Sequence, residues 1–212
     1  MDREDSWRVI ERERLALADL LEGLTEEQWE APSLCTEWRV RDVAGHVAFT
    51  PQITSLPMAL KEFVRAGGSY NRMIRDVSIR HARGPGVDLV GELREYAASR
   101  ELVALTNYEN ILFDTLVHAQ DIAVPLGIDH PAPVDAARAG ADRVWSMGWP
   151  FRAGKRLAGL HLVATDTDWE VGAGERVEGP MLAFLLLLTG RPAMLDRLSG
   201  PGVAALTRVV NT

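Results

Sequence analysis

The stretch Ile111–Val124, ILFDTLVHAQDIAV, decides the predicted fold. As a helix it is apolar around most of its circumference, and a helix of that kind is normally buried. Asp114, His118 and Asp121 interrupt the apolar surface, and their spacing places them on one stripe of the helix. Because a buried charge is costly without a partner, such groups are usually paired or hold a metal ion. The rest of the sequence must therefore supply a partner for this stripe.

The composition excludes several classes of protein. A net charge of -7 over 212 residues argues against nucleic acid or an anionic membrane as a partner. The single cysteine, Cys35, rules out an internal disulfide and a cysteine-based zinc site. The N-terminus is charged where a signal peptide is apolar, and the longest apolar run, Met181–Leu188, is too short to span a bilayer. We therefore expect a cytoplasmic protein that does not bind membranes.

Helical periodicity dominates the first two-thirds of the chain. A shorter helix is expected over 71–82, and the four long helical patterns cover residues 6–23, 40–64, 87–105 and 111–124. Pro51 and Pro57 are expected to kink or interrupt the second of these patterns. Four long helices pack most naturally as a four-helix bundle. The sequence therefore predicts a mostly α protein whose bundle domain covers residues 1–154.

The character of the sequence changes after Gly148. Residues 156–166 have the alternating, β-branched pattern of a strand, and 168–175 resemble a second strand followed by a glycine turn. Met181–Leu188 is predicted to be a buried helix, and Pro192 suits the first turn of one more helix. Residues 155–212 are therefore predicted to form a small α+β C-terminal domain.

Each candidate polar residue has two interpretations on spacing alone. His46 is either a ligand or a core or capping histidine, and Asp114–His118 is either part of a metal site or an ion pair one helical turn apart. Asp121 either orients a neighbour or forms a salt bridge at the helix end, and Asp42, one turn before His46, has a similar choice. Arg191 follows a glycine turn, where surface and capping arginines are common.

Five short motifs occur in an order that resembles one known family. They are W-x(5)-C-x-x-W at 29–38, VRDVAGH at 40–46, LVHAQDIA at 116–123, ATDTDWEVG at 164–172 and LTGR at 188–191. Together they resemble the mycothiol-dependent maleylpyruvate isomerase family, within the wider DinB/YfiT-like group. The resemblance covers nearly the whole chain and implies a DinB-like four-helix bundle followed by the small α+β domain.

The resemblance also implies a divalent-metal site. The family holds its metal on a histidine from one long helix and on an acid-x-x-x-His pair from a later helix, which match His46, Asp114 and His118. The family acid is a glutamate, and this chain has the shorter Asp114. Two imidazoles and one carboxylate suit zinc with an open coordination position, and also nickel, manganese or iron.

The function implied is that of a metal-dependent, mycothiol-using enzyme. In the family a thiol at the open position becomes a thiolate nucleophile and drives cis-trans isomerisation or thiol transfer. By motif, Arg191 takes a catalytic and cofactor-binding role, in which its guanidinium holds a substrate carboxylate. Asp121, close to His118 on the same helical stripe, is the second catalytic candidate, either as an acid that orients a ligand or as a proton acceptor near the metal. The expected partners are a small-molecule substrate and a low-molecular-weight thiol, and the chain is expected to be a monomer or homodimer. The alternative is a non-catalytic small-molecule-binding module with a structural metal.

Overall fold

The computed structural model describes residues 1–52, 55–102 and 106–210. The chain divides into two compact units, Asp2–His130 and Pro131–Thr212. The first unit is helical, and the second combines helices with a three-stranded sheet. The prediction of a mostly α fold with a small α+β part at the C-terminus is confirmed.

A four-helix bundle forms the centre of the N-terminal unit. Helix α1 packs against α7, and α3 packs against both α5 and α7. The helices of this unit are α1 (Arg3–Glu22), α2 (Glu26–Trp29), α3 (Val40–Phe49), α4 (Leu56–Arg65), α5 (Tyr70–Ala82), α6 (Leu89–Glu95) and α7 (Tyr108–Ala123).

Helix α7 is the buried helix that the opening stretch predicts. It begins at Tyr108, because the Asn107 side chain caps its N-terminus by accepting from the Asn110 N–H group. From Ile111 to Ala123 every side chain is buried except Asp114, which is partly exposed. The polar stripe therefore lies inside the bundle, with one carboxylate reaching toward its surface.

Gly45 sets how closely α3 and α5 approach each other. A Cβ atom at Gly45 would lie 2.6 Å from the Cβ of Ala82 and 3.0 Å from the Ser78 carbonyl oxygen. Only a residue without a side chain fits there. The close approach brings Ser78 of α5 beside the neighbouring residue His46 of α3.

Two of the long helical patterns are interrupted. The pattern over 40–64 breaks at a 3₁₀ turn, Thr50–Gln52, and α4 starts after a new N-cap at Ser55. The pattern over 87–105 is helical only as α6, and residues 103–105 lie outside the described residues.

The chain after α6 is held by a buried arginine in addition to its turn hydrogen bonds. The Arg14 Nη1 donates to the carbonyl oxygens of Tyr96, Ala97 and Ser99, at 3.2, 3.2 and 3.0 Å. Burial lowers the pKa of Arg14 to about 10, so the guanidinium remains charged at neutral pH. Periodicity overestimated this helix because the anchoring side chain comes from α1, far away in sequence.

The C-terminal unit contains a small mixed sheet. Strand β1 lies between β2, which is antiparallel to it, and β3, which is parallel. The elements are α8 (Val134–Ser146), α9 (Ala153–Arg156), β1 (Gly159–Ala164), β2 (Glu170–Gly172), β3 (Gly174–Gly179), α10 (Met181–Leu188) and α11 (Val203–Val210). Helix α10 packs against α8 and β1.

Two details of this unit differ from the prediction. The glycine turn is followed by a third strand, β3, which pairs with β1 from Gly174 onward. Glycine is required at the start of this strand, because a Cβ atom at Gly174 would overlap the Gly159 carbonyl oxygen. The helix expected at Pro192 is wrong: a 3₁₀ turn, Leu195–Arg197, follows, and α11 begins only at Val203.

The boundary expected after residue 154 lies inside the second compact unit, since that unit begins at Pro131. Within the described ranges, no helix is long and apolar enough to cross a membrane.

Candidate metal centre

Three polar side chains from α3 and α7 converge in the N-terminal unit. The His46 Nε2 lies 3.2 Å from Oδ2 of Asp114, and the His118 Nε2 lies 3.4 Å from Oδ1 of the same carboxylate. One ligand atom from each residue lies within 4.8 Å of the others. The two imidazole rings meet edge to face with their centroids 4.7 Å apart. The structure therefore brings together the three side chains that we predict to bind a metal.

The outer nitrogen of each imidazole already has a partner. The Ser78 hydroxyl donates to the Ile74 carbonyl oxygen at 2.8 Å, so its oxygen can accept from Nδ1–H of His46 at 3.3 Å. The His118 Nδ1 lies 2.8 Å from Oδ2 of Asp121 and donates a hydrogen bond to it. These bonds place a proton on Nδ1 of each ring and direct both Nε2 atoms toward Asp114. Histidines that bind metals are commonly held in this way.

The segment 30–39 covers one side of the centre. The indole ring of Trp38 lies 5.5 Å from the His46 ring and 6.0 Å from the His118 ring, centroid to centroid. The Leu34 N–H donates to the Asp121 carbonyl oxygen at 3.1 Å, and the Cys35 Sγ lies 3.0 Å from Oδ2 of Asp121. This segment is therefore tied to α7 beside the two histidines.

The charges of the centre are strongly coupled. Burial raises the pKa of Asp114, but the imidazoles of His118 and His46 outweigh it and hold that pKa well below its usual range. Burial lowers the pKa of His118, but the Asp114 carboxylate outweighs it, so that pKa lies well above its usual value. Without a metal ion, the centre therefore binds a proton on His118 next to an ionised carboxylate. A divalent cation would replace that proton.

The centre is open on the Asp114 side. The Asp114 side chain is 33% exposed, whereas those of His46 and His118 are 12% and 10% exposed. The charge of this carboxylate also affects Tyr70 at the start of α5. Burial raises the pKa of Tyr70, and the charge of Asp114 raises it further. The carboxylate is thus the part of the centre closest to the surface.

The remaining predicted site residues lie in different places. Asp121 contacts His118, as an orienting acid would. Asp42 does not orient His46: its carboxylate accepts from the Arg39 N–H at 3.0 Å and from Arg83 at 3.2 Å. Arg191 lies in the C-terminal unit, where its Nη1 donates to the Thr189 carbonyl oxygen at 2.7 Å. Its role at the centre stays a prediction.

The sequence does not predict the contacts of the two histidines with Ser78 and Trp38, or that of Cys35 with Asp121. These residues are far from α7 in the chain, and no short-range spacing connects them to the histidines. The W-x(5)-C-x-x-W motif was the one available signal for the segment 30–39.

The bundle and its centre define a helical-bundle protein with a candidate divalent-metal site. Residues 10–107, just under half of the chain, match the family model for the mycothiol maleylpyruvate isomerase N-terminal domain. The matched range contains His46 and ends before Asp114 and His118.

Two solved structures share the fold. One is the crystal structure of the mycothiol-dependent maleylpyruvate isomerase, with 16% identity, a TM-score of 0.61, and 95% of this chain and 93% of that chain covered. The other is a mutant of the mycothiol-dependent maleylpyruvate isomerase, with 14% identity, a TM-score of 0.63 and the same coverage. No curated protein matches the sequence significantly. The structural likeness establishes the fold over nearly the whole chain.

Proposed function

We propose that this protein is a divalent-metal-dependent enzyme that uses mycothiol, of the maleylpyruvate isomerase type. The observation that carries the proposal is the arrangement of His46, Asp114 and His118, with both Nε2 atoms directed at one carboxylate. The match to the family model and the similarity to two structures of mycothiol-dependent maleylpyruvate isomerase support the choice of thiol and reaction type.

The donor set fits a divalent cation. Both imidazoles have their Nδ1 atoms engaged, by Ser78 and Asp121, so each presents one lone pair to the centre. The part of the chain that the structure describes offers three donors here, which is typical of catalytic rather than closed structural zinc sites. Asp in place of the family's glutamate keeps the charge and shortens the reach. Zinc is our first expectation, with nickel, manganese or iron as alternatives.

A cation bound there supplies a Lewis acid that lowers the pKa of a thiol. The protein's own residues prepare the site for it. Asp121 fixes the protonated nitrogen of His118, and the Trp38 ring covers both imidazoles and limits the access of water. The partly exposed side at Asp114 is where we expect the thiol and the substrate to approach. We assign Asp121 the further role of a proton acceptor beside the cation.

Metal analysis tests the metal site directly. Wild type, His46→Ala, His118→Ala and His161→Ala would be reconstituted with zinc, nickel, manganese and iron, and their metal content measured after desalting. His161 is the matched control, because it lies on β1 in the C-terminal unit and pairs with Glu170. We expect about one zinc per chain in wild type and His161→Ala, and loss of zinc in the other two. Equal, negligible metal in wild type and His46→Ala would refute the site.

Thiol dependence tests the reaction. Zinc-loaded protein would be assayed with maleylpyruvate and related electrophiles, with and without mycothiol. We expect turnover only when mycothiol is present. Arg191→Lys should raise KM, because an ammonium loses the two-pronged contact that a guanidinium makes with a carboxylate.

The rival function is a non-catalytic binding module with a structural metal. The open side at Asp114 favours the enzyme. Tight zinc binding without turnover of any electrophile in the presence of mycothiol would favour the module.

A further inference from the structure

Two donors from different parts of the chain meet on a single carboxylate oxygen beside the candidate centre. The Cys35 Sγ lies 3.0 Å from Oδ2 of Asp121, and the His118 Nδ1 lies 2.8 Å from the same oxygen. The Asp121 side chain is completely buried. Each hydrogen bond to a buried carboxylate stabilises it in one orientation, because water does not replace a bond that is lost.

We infer that Cys35 is a positioning residue of the candidate centre. Its thiol donates to Oδ2 of Asp121 and limits rotation of that carboxylate, which in turn holds Nδ1–H of His118. The adjacent main-chain bond from Leu34 N–H to the Asp121 carbonyl oxygen keeps the thiol in place. Cys35 thus acts on the metal-facing nitrogen of His118 through Asp121. The inference rests on the proposed function only in treating that nitrogen as a metal ligand.

Cys35, His118 and Asp121 also have the composition of a metal-binding group. The geometry favours hydrogen bonding over a second cation. The Cys35 Sγ is 3.9 Å from Nδ1 of His118, and that nitrogen is already bonded to Asp121. The opposite nitrogen of the same ring faces Asp114. A cation on the thiol side would require the loss of the Nδ1 proton that links His118 to Asp121.

The test uses four variants of the full chain. Cys35→Ala removes the donor, Cys35→Ser keeps a hydroxyl donor, and Asp121→Asn removes the carboxylate charge. Ser33→Ala is the matched control, because Ser33 bonds to the Cys35 N–H and the Trp38 carbonyl oxygen and stabilises the same segment. Thermal unfolding of each metal-free variant is measured alongside.

The first measurement is the zinc Kd, by competition with a chromophoric chelator. Loss of groups that orient metal ligands typically weakens binding by ~10–100-fold, so we expect that range for Asp121→Asn and about tenfold for Cys35→Ala. Cys35→Ser and Ser33→Ala should stay within about threefold of wild type, because both keep a hydrogen-bond donor on Asp121 that orients His118. An unchanged Kd in Cys35→Ala, or an equal loss in Ser33→Ala, would overturn the inference.

The second measurement is the NMR signal of the His118 Nδ1 proton in metal-free protein. We expect this signal to move in Cys35→Ala, to return toward its wild-type position in Cys35→Ser, and to stay in place in Ser33→Ala. Because this measurement is made without metal, its outcome is independent of the proposed function. If His46→Ala bound zinc as tightly as wild type, the proposed metal site would be wrong, but the NMR signal would still show whether Cys35 positions Asp121 and His118.

Cobalt(II) distinguishes positioning from ligation. With cobalt in the centre, wild type and Cys35→Ser should show the same visible spectrum. A thiolate-to-cobalt charge-transfer band in wild type that Cys35→Ala lacks would mean that Cys35 is a ligand, which would contradict the inference.

Discussion

His118 has different partners on its two ring nitrogens. Its Nε2 faces Asp114 at 3.4 Å, and its Nδ1 bonds to Asp121 at 2.8 Å. The Asp121 bond persists whether Nε2 carries a proton or a metal ion. Proton and metal therefore compete for one nitrogen, while the other nitrogen keeps the ring in a fixed orientation.

This competition predicts a strong pH dependence of metal binding. Since Asp114 raises the pKa of His118, a proton must leave His118 before a cation can bind near neutral pH. The apparent zinc Kd should fall steadily as the pH rises from about 5 to 8, with release of about one proton per zinc. Isothermal titration calorimetry in buffers of different ionisation enthalpy measures both quantities. A Kd that is constant over this range would contradict the pKa assignment.

The stability of the metal-free protein should change with pH in the opposite direction to zinc affinity, and should fall as the pH rises. A raised pKa of His118 stabilises the folded state fully below the unfolded histidine pKa of about 6.5, and this contribution is lost as the pH rises through the folded value. In Asp114→Asn the charge that raises the pKa of His118 is removed, so that pKa falls. The variant should therefore lose this part of the pH dependence, as measured by urea unfolding at several pH values.

At the scale of elements, the site depends on the close packing of α3 and α5. The distance that Gly45 allows also sets the position of Ser78 against Nδ1 of His46. Packing and site geometry are thus controlled by the same contact.

Gly45→Ala tests this coupling. The added methyl group would lie 2.6 Å from the Cβ of Ala82, so the helices must separate, at a cost of ~1–3 kcal/mol in unfolding free energy. We also expect weaker zinc binding, because Ser78 would move away from His46. Gly23→Ala, with its nearest neighbour at 3.6 Å, is the control and should change neither value by more than about 0.5 kcal/mol. Chemical unfolding and chelator competition measure the two effects.

The elements also show which features the sequence could predict. The burial of α7 follows from its apolar periodicity, and the helices of the bundle follow from theirs. The prediction that His46 pairs with α7 rests on the ordered family motifs, since its own sequence context also fits a core or capping histidine. The bonds to Ser78, Cys35 and Arg14 join residues far apart in the chain, and local periodicity carries no information about such contacts. Strand β3 was missed because its sequence, GERVEG, is polar and rich in glycine.

At the scale of the whole molecule, the boundary between the compact units precedes α8. The buried face of α8 consists mainly of small residues, Ala136, Ala137, Gly140, Ala141 and Val144. This face allows α8 to pack closely on the strongly apolar α10. Without α8, most of one side of α10 would meet water.

Two fragments test this division. Residues 131–212 should unfold cooperatively, since they include the cover of α10, whereas 155–212 should aggregate or lack a cooperative transition. Circular dichroism and size-exclusion chromatography distinguish these outcomes. A cooperatively folded 155–212 fragment would instead support the domain boundary that we expect from composition, after residue 154.

The anchor formed by Arg14 has a consequence for how this chain can evolve. Its guanidinium binds three carbonyl oxygens, and every amino acid provides the same carbonyl group. Apart from the buried Ala97, the side chains of residues 96–99 are therefore free to diverge without loss of the anchor. Insertions and deletions are not tolerated in the same way, because they would move the oxygens out of reach. Among relatives that keep Arg14, this segment should vary in composition and remain constant in length.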